Sequence, residues 1–169
     1  MIDEASIKGN IAELLQRIRT CAQESGRNPQ SVRLMAVSKT RPASAIRAAL
    51  ASGITDIGEN YIQEADSKQR ELAGEPICWH CIGPIQSNKS RTVAEQFDWV
   101  HTVDRLKLAQ RLSRQRPAER APLNVCLQLN IDCEPQKAGA QPEDLEALAD
   151  AVAAPVSYTH LTLPTIYSV

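Results

Sequence analysis

The chain has 169 residues, a formal net charge of −1, 23% charged and 43% hydrophobic residues, and only 4% aromatic residues. This is the composition of a globular domain with its own core, not of a disordered chain. The balanced charge gives no electrostatic drive toward nucleic acid, and so few aromatics leave little for bases to stack on. No apolar block is long enough to span a bilayer, and the opening MIDEASIKGN is acidic where a secretion signal would be basic. A cytoplasmic protein is therefore expected. Five cysteines, an odd number without an export signal, read as reduced thiols.

In chain order, Ile7, Ile11, Leu14, Leu15 and Ile18 recur at helical steps and predict an amphipathic helix that runs to about Glu24 and stops at Gly26. Residues 33–38 read as a buried strand, and Pro42 opens a helix that Gly53 ends. A short strand over 56–58, with Glu59 and Asn60 at its exit, precedes a helix over 61–72. The run ICWHCIG (77–83) is a strand, and Ser87 is placed to cap a helix reaching Phe97. A strand over 99–103, a helix over 105–116, a strand over 124–131 and a helix over 143–152 follow. Strands and helices alternate about every 20–25 residues, the pattern of parallel βα units whose apolar strands are covered on both faces. No glycine-rich phosphate loop of the GxGxxG or GxxxxGK[ST] type occurs, which favours a barrel over a nucleotide fold. A complete barrel takes about 200–250 residues. The expected fold class is therefore α/β: an incomplete (β/α)8 TIM-type barrel, with an N-terminal helix plus about five βα units.

Residues 151–169 hold no Asp, Glu, Lys or Arg, and two of the three tyrosines. The run VSYTHL can be encoded by a transposon-adaptor end. Residues 1–155 are read as the N-terminal part of a single barrel domain and 156–169 as a non-native, adaptor-derived tail. A genuine short terminal strand is the other reading.

In a parallel α/β sheet, chemistry gathers at the carboxyl ends of the strands. Lys39, Asn60, Gly83, Asn130 and Asp132 all fall at such ends. A lysine there, flanked by Met35 and Val37 on its own face, is expected to be partly desolvated, which favours the neutral amine and Schiff-base chemistry with an aldehyde such as pyridoxal 5'-phosphate (PLP). By position alone, a lysine ending a strand in solvent is the preferred reading.

The blocks AVSKTRP, IGENYIQEA, WHCIGPIQSNKSR, WVHTVDRLKLAQRL and LNVCLQLNI resemble, in order and spacing, the pyridoxal phosphate homeostasis protein family, with the alanine-racemase N-terminal barrel. The resemblance implies PLP held as a Schiff base by Lys39, with Asn60 and His80 on the cofactor side of the barrel. It implies a monomeric protein that buffers PLP and delivers it to apo PLP-dependent enzymes, with little catalysis of its own. A PLP-dependent racemase-like enzyme is the alternative. Three positions depart from the family pattern. Arg41 stands where a second lysine is usual, Cys81 where Phe is common, and CEPQKAGA keeps only Lys137 and Gly139 of its block. The family's phosphate-holding serine loop and R-x-G-T block are not in this sequence, so the chain is expected to be a truncated fragment that binds PLP weakly.

Other candidates have plainer readings. Cys78 and Cys81 lie on opposite faces of a strand, which argues against a zinc pair. His80 can equally be a satisfied core histidine, and His101 reads as structural. The 83–91 loop is either an anion site or a solvated helix start. Arg111, Arg114, Arg116 and Arg120 read as a solvated basic helix.

Overall fold

The computed structural model describes residues 3–153 and 161–162. The chain starts with α1 (Glu4–Glu24), whose N-cap Asp3 accepts from the Ser6 amide at 2.6 Å. There follow β1 (Met35–Val37), α2 (Ala43–Leu50), β2 (Asp56–Glu59), α3 (Ile62–Glu71), β3 (Cys78–Cys81), α4 (Ser90–Gln96), β4 (Trp99–Val103), α5 (Leu106–Gln115), β5 (Leu123–Leu127), α6 (Leu145–Ala153) and β6 (Leu161–Thr162). The strands form one parallel sheet in the order β1-β2-β3-β4-β5-β6, each joined to the next by a helical crossover. The predicted alternation and the incomplete βα architecture are both present, with a sixth strand among the described residues. The reading of 156–169 as a non-native tail falls largely outside the described residues. Within it, β6 pairs through Leu161↔Leu123, and Leu161 is buried.

Register divides the sheet into two unlike faces, because cross-strand partners share a face. One row runs Val37, Gly58, His80, Trp99, Asn124, and the row beside it Met35, Asp56, Cys78. The opposite face carries Ala36, Ile57, Trp79, and then Glu59, Cys81, Val100, Val125. The helices cover this second face. Ile57, Val100, Val125, Phe97, Ile46, Leu108 and Leu112 are all buried there in one core, each stabilised by about 1.5–3 kcal/mol relative to exposure. The first face is polar and only half-buried at Cys78, Trp99, Asn124 and Cys126. The expectation of strands covered on both faces is thus met on the helical side only.

Three local expectations are corrected. Ser87 does not cap a helix through its side chain. Residues Ser87–Lys89 form a 3-10 turn, α4 starts at Ser90, and the Ser87 carbonyl accepts from the Ser90 hydroxyl at 2.9 Å. β5 ends at Leu127, and beyond it only Leu129 bridges to Ala140. Of the basic stretch, Arg114 is exposed as expected, whereas Arg116 is buried. Its guanidinium donates to the carbonyls of Ala94 (2.7 Å), Phe97 (2.6 Å) and Ala121 (2.7 and 2.9 Å). Arg120 pairs with Asp98 at 2.8 Å, and Arg111 donates to Ser90 Oγ at 3.2 Å. These arginines staple the ends of α4 and α5 together and satisfy carbonyls that the helix termini leave open. No helix among the described residues is long and apolar enough to cross a membrane.

Arg116→Met keeps the aliphatic stem but strands those carbonyls. It is expected to lower stability by about 2–4 kcal/mol, read as a fall in the urea midpoint with an unchanged slope.

Candidate functional site

Three consecutive strand exits are tied together at the carboxyl edge of the sheet. The Ser38 amide donates to the Gly58 carbonyl at 3.0 Å, and the Ile82 amide to the Glu59 carbonyl at 3.0 Å. Gly83 then lies against the backbone of Asn60, where a Cβ would sit 2.0 Å from the Asn60 carbonyl oxygen. Only glycine permits that approach. The Thr102 hydroxyl donates to the Gly83 carbonyl at 2.8 Å, which fixes the same corner from β4. Asn60 and Gly83 thus meet as the strand-end argument expected, and Lys39 leaves the sheet from Ser38 beside them.

Lys39 lies in a tight turn closed by the Arg41 amide donating to the Ser38 carbonyl at 2.9 Å. Thr40 has a φ of 61°. A β-branched residue rarely adopts this left-handed conformation, which costs about 1–2 kcal/mol. Such strain persists only where the surroundings impose it. The expected desolvation is not found: Lys39 is exposed, and Val37 on its face is 47% exposed. The half-buried first face packs too little around the turn to take the amine out of water.

Under this turn is a buried ionic cluster that the sequence reading did not identify. Lys68 of α3 donates from Nζ to the Ser38 carbonyl (2.7 Å), Glu59 Oε1 (2.6 Å) and Glu64 Oε1 (2.8 Å). The Ser38 hydroxyl donates to the same Glu59 oxygen at 2.5 Å. The Lys68 side chain is 8% exposed and that of Glu59 0%. A signal was available. Alternation puts Glu59 on the core-facing side with Ile57, and an acid buried there requires a cation. Lys68 lies four residues after Glu64, the spacing of a helical ion pair.

His80 is placed elsewhere. Its Nε2 meets Asp56 Oδ1 at 2.9 Å, at the first residue of β2, and its Nδ1 meets His101 Nε2 at 3.0 Å. Its ring stacks on Trp99, with centroids 5.5 Å apart. One tautomer satisfies the whole chain: each histidine carries its proton on Nε2, His80 donating to Asp56 and His101 to His80. Arg33 pairs with the same Asp56 oxygen. This geometry fits the core-histidine alternative, and no contact joins His80 to Lys39. Burial holds the His80 pKa below its ordinary value of 6.5 despite the Asp56 carboxylate. Burial, then the neighbouring His80, holds His101 below 6.5 as well.

Asp56, Cys78 and His80 each bring a possible metal ligand to within 4.8 Å of the others. The Arg33 guanidinium on Asp56 and the Cys78 thiol, pushed up to about 11 by burial and by the charges of Asp98 and Asp56, both disfavour a cation there. Cys81 faces the core on the other side of β3, as alternation predicted. Asn130 is engaged in its own loop, donating to Glu134 and Lys137 carbonyls and accepting from the Glu134 amide. A cleft of about 410 Å³ lies beside β1, lined by Ile7, Ile11, Ala36, Pro42 and Ala45, and Lys39 is not part of it. Its lining is mostly apolar, with Glu4, Asn10, Ser38, Arg41 and Ser44 as polar members, so the residues on either side of the Lys39 turn border it.

Comparison with known proteins follows the same line. The family model described as alanine racemase, N-terminal domain, matches residues 2–168. A pyridoxal phosphate homeostasis protein of Pseudomonas aeruginosa is 62% identical over 148 residues, covering 88% of this chain and 64% of that protein. The protein of that name from Escherichia coli is 52% identical over 150 residues, covering 87% of this chain and 64% of that protein. The structure of PipY from Synechococcus elongatus with PLP bound superposes with a TM-score of 0.72 at 39% identity, over 88% of this chain and 68% of that one. PipY without PLP gives a TM-score of 0.73 at 40% identity over the same shares. The chain thus spans 64% of the length of these curated relatives.

Two outcomes test this geometry. Burial holds both histidine pKa values below 6.5 in the fold, so protons bind the unfolded chain first as pH falls below 6.5. Stability is therefore complete above that pH and declines below it, and a His80→Gln/His101→Gln variant should show a shallower decline in urea midpoint between about pH 7.5 and 5.5. Gly83→Ala drives a methyl into the Asn60 carbonyl and should cost about 1–3 kcal/mol, while Gly9→Ala, with open space around its Cβ position and an ordinary helical backbone, keeps the Asn60 corner intact by NMR.

Proposed function

This chain belongs to the alanine racemase N-terminal domain family, in its pyridoxal phosphate homeostasis branch, and on that premise we propose that it binds PLP through a Schiff base on Lys39 and serves PLP homeostasis. The observation that carries the proposal is the setting of Lys39. The amine is accessible, sits at the carboxyl end of β1, and belongs to a turn held from beneath and strained at Thr40. Lys39 would hold the cofactor by condensing its neutral amine with the aldehyde, with loss of one water. PLP bound in this way supplies an electron sink.

The residues fit a holder of the cofactor. Asn60 comes from the strand beside Lys39 and lies at the corner that Gly83 keeps narrow. His80 supports the sheet below through Asp56 and His101, its ring nitrogens both engaged. Racemisation needs a second base on the opposite cofactor face. With both ring nitrogens engaged, His80 is not available for that work, which favours buffering and delivery to apo enzymes over turnover.

Mixing the chain with PLP, reducing with borohydride and mapping peptides should place the phosphopyridoxyl mass on Lys39. Lys39→Ala should lose the visible Schiff-base absorbance. A band of undiminished strength in Lys39→Ala overturns the assignment. Exchange of the Cα proton of alanine at catalytic rates would instead support the racemase reading.

A further inference from the structure

We propose that Glu59 and Lys68 form a positioning device for Lys39, in which α3 holds, from the far side of the sheet, the backbone turn that carries the reactive amine. The inference rests on the reading of Lys39 as the PLP lysine.

Ser38 immediately precedes Lys39, and all of its polar atoms are engaged. Its amide donates to Gly58, its hydroxyl donates to Glu59, and its carbonyl accepts both the Arg41 amide and the Lys68 ammonium. Lys68 in turn has three protons and three acceptors, the Ser38 carbonyl, Glu59 and Glu64, so its orientation is fully determined. Glu59 is anchored by the backbone of β2, and its Oε2 is buried without a hydrogen-bond partner. Both strong donors, the ammonium and the Ser38 hydroxyl, therefore converge on the single oxygen Oε1.

A buried ion pair of this kind is seldom better for stability than apolar residues of the same size, whereas it does fix geometry. Here the geometry it fixes is the start of the turn. With Ser38 clamped on one side and Thr40 held at a φ of 61° on the other, Lys39 has its backbone direction set at both flanks while its side chain is in water. Glu59 and Lys68 act through Ser38, on the face of the sheet opposite to the half-buried one.

The test uses the 169-residue chain in four forms: wild type, Glu59→Gln/Lys68→Met, Lys68→Arg and Ser38→Ala. The double variant removes the two buried charges together and leaves only the part-exposed Glu64 carboxylate, and Ser38→Ala removes only a hydroxyl should the double variant fail to fold. Without PLP, hydrogen exchange at the Arg41 amide is measured. With PLP, two quantities are read: Schiff base trapped on Lys39, and visible circular dichroism per mole trapped. A loss of stability changes the amount bound but not the dichroism per bound molecule.

The expected result is faster exchange at Arg41, at least about tenfold less trapping in the double variant, reduced dichroism per bound PLP, and partial recovery in Lys68→Arg. A folded double variant, or Ser38→Ala in its place, with wild-type Arg41 exchange and dichroism overturns the positioning role and leaves the PLP reading intact. Wild-type chain that traps no PLP on Lys39 overturns the reading itself, and the positioning role with it.

Discussion

The Lys68 ammonium is the constraint on which the end of β2 and the turn after β1 depend. It lies in a helix, yet all its side-chain hydrogen bonds but one reach across to the end of β2 and to the turn after β1. A buried cation cannot remain there without acceptors, so α3, the end of β2 and the turn after β1 must move together or not at all. Glu59 and Ser38 are the other members of this arrangement. Were it apolar, the sheet would still form, because its core on the helical side is made by Ile57, Val100, Val125 and their helix partners. What would be lost is the definition of the turn that carries Lys39.

The two faces of the sheet divide the work. The helical face is dry and aliphatic, and supplies the hydrophobic stabilisation. The other face is polar, with Asp56, His80, His101 and Arg33 in one hydrogen-bonded chain and Trp99 stacked over it. This chain has a single consistent set of proton positions, with both histidines neutral. It acts as a rigid floor, while the accessible chemistry is at the strand ends, where Asn60, Gly83 and Thr102 lock one corner.

The similarity to pyridoxal phosphate homeostasis proteins and to PipY spans most of this chain and about two thirds of theirs. The segment shared with them includes the lysine-bearing turn and the elements that brace it. Bracing of the turn that carries the amine is thus a property of the first two βα units, local in the fold and built from residues at most 30 apart in sequence.

The sequence by itself determined the parallel βα order, the α1 boundary and the placement of Lys39, Asn60 and Gly83 at strand ends, because periodicity and strand parity are local properties. Five matching blocks singled out Lys39, which position alone had left as an ordinary strand-end lysine. Tertiary structure decided the rest. Arg116 reads as one more solvated charge until α4 and the 117–121 segment close around it. Lys68 looks like an exposed helix residue until the crossover turns its face onto Ser38 and Glu59. His80 sits in a strongly patterned block, yet its direction follows from Asp56 and His101, partners more than 20 residues away that only the sheet register brings to it. Burial of a polar group is a pairwise matter, so a single chain position cannot reveal it; the partner must first be placed by the fold.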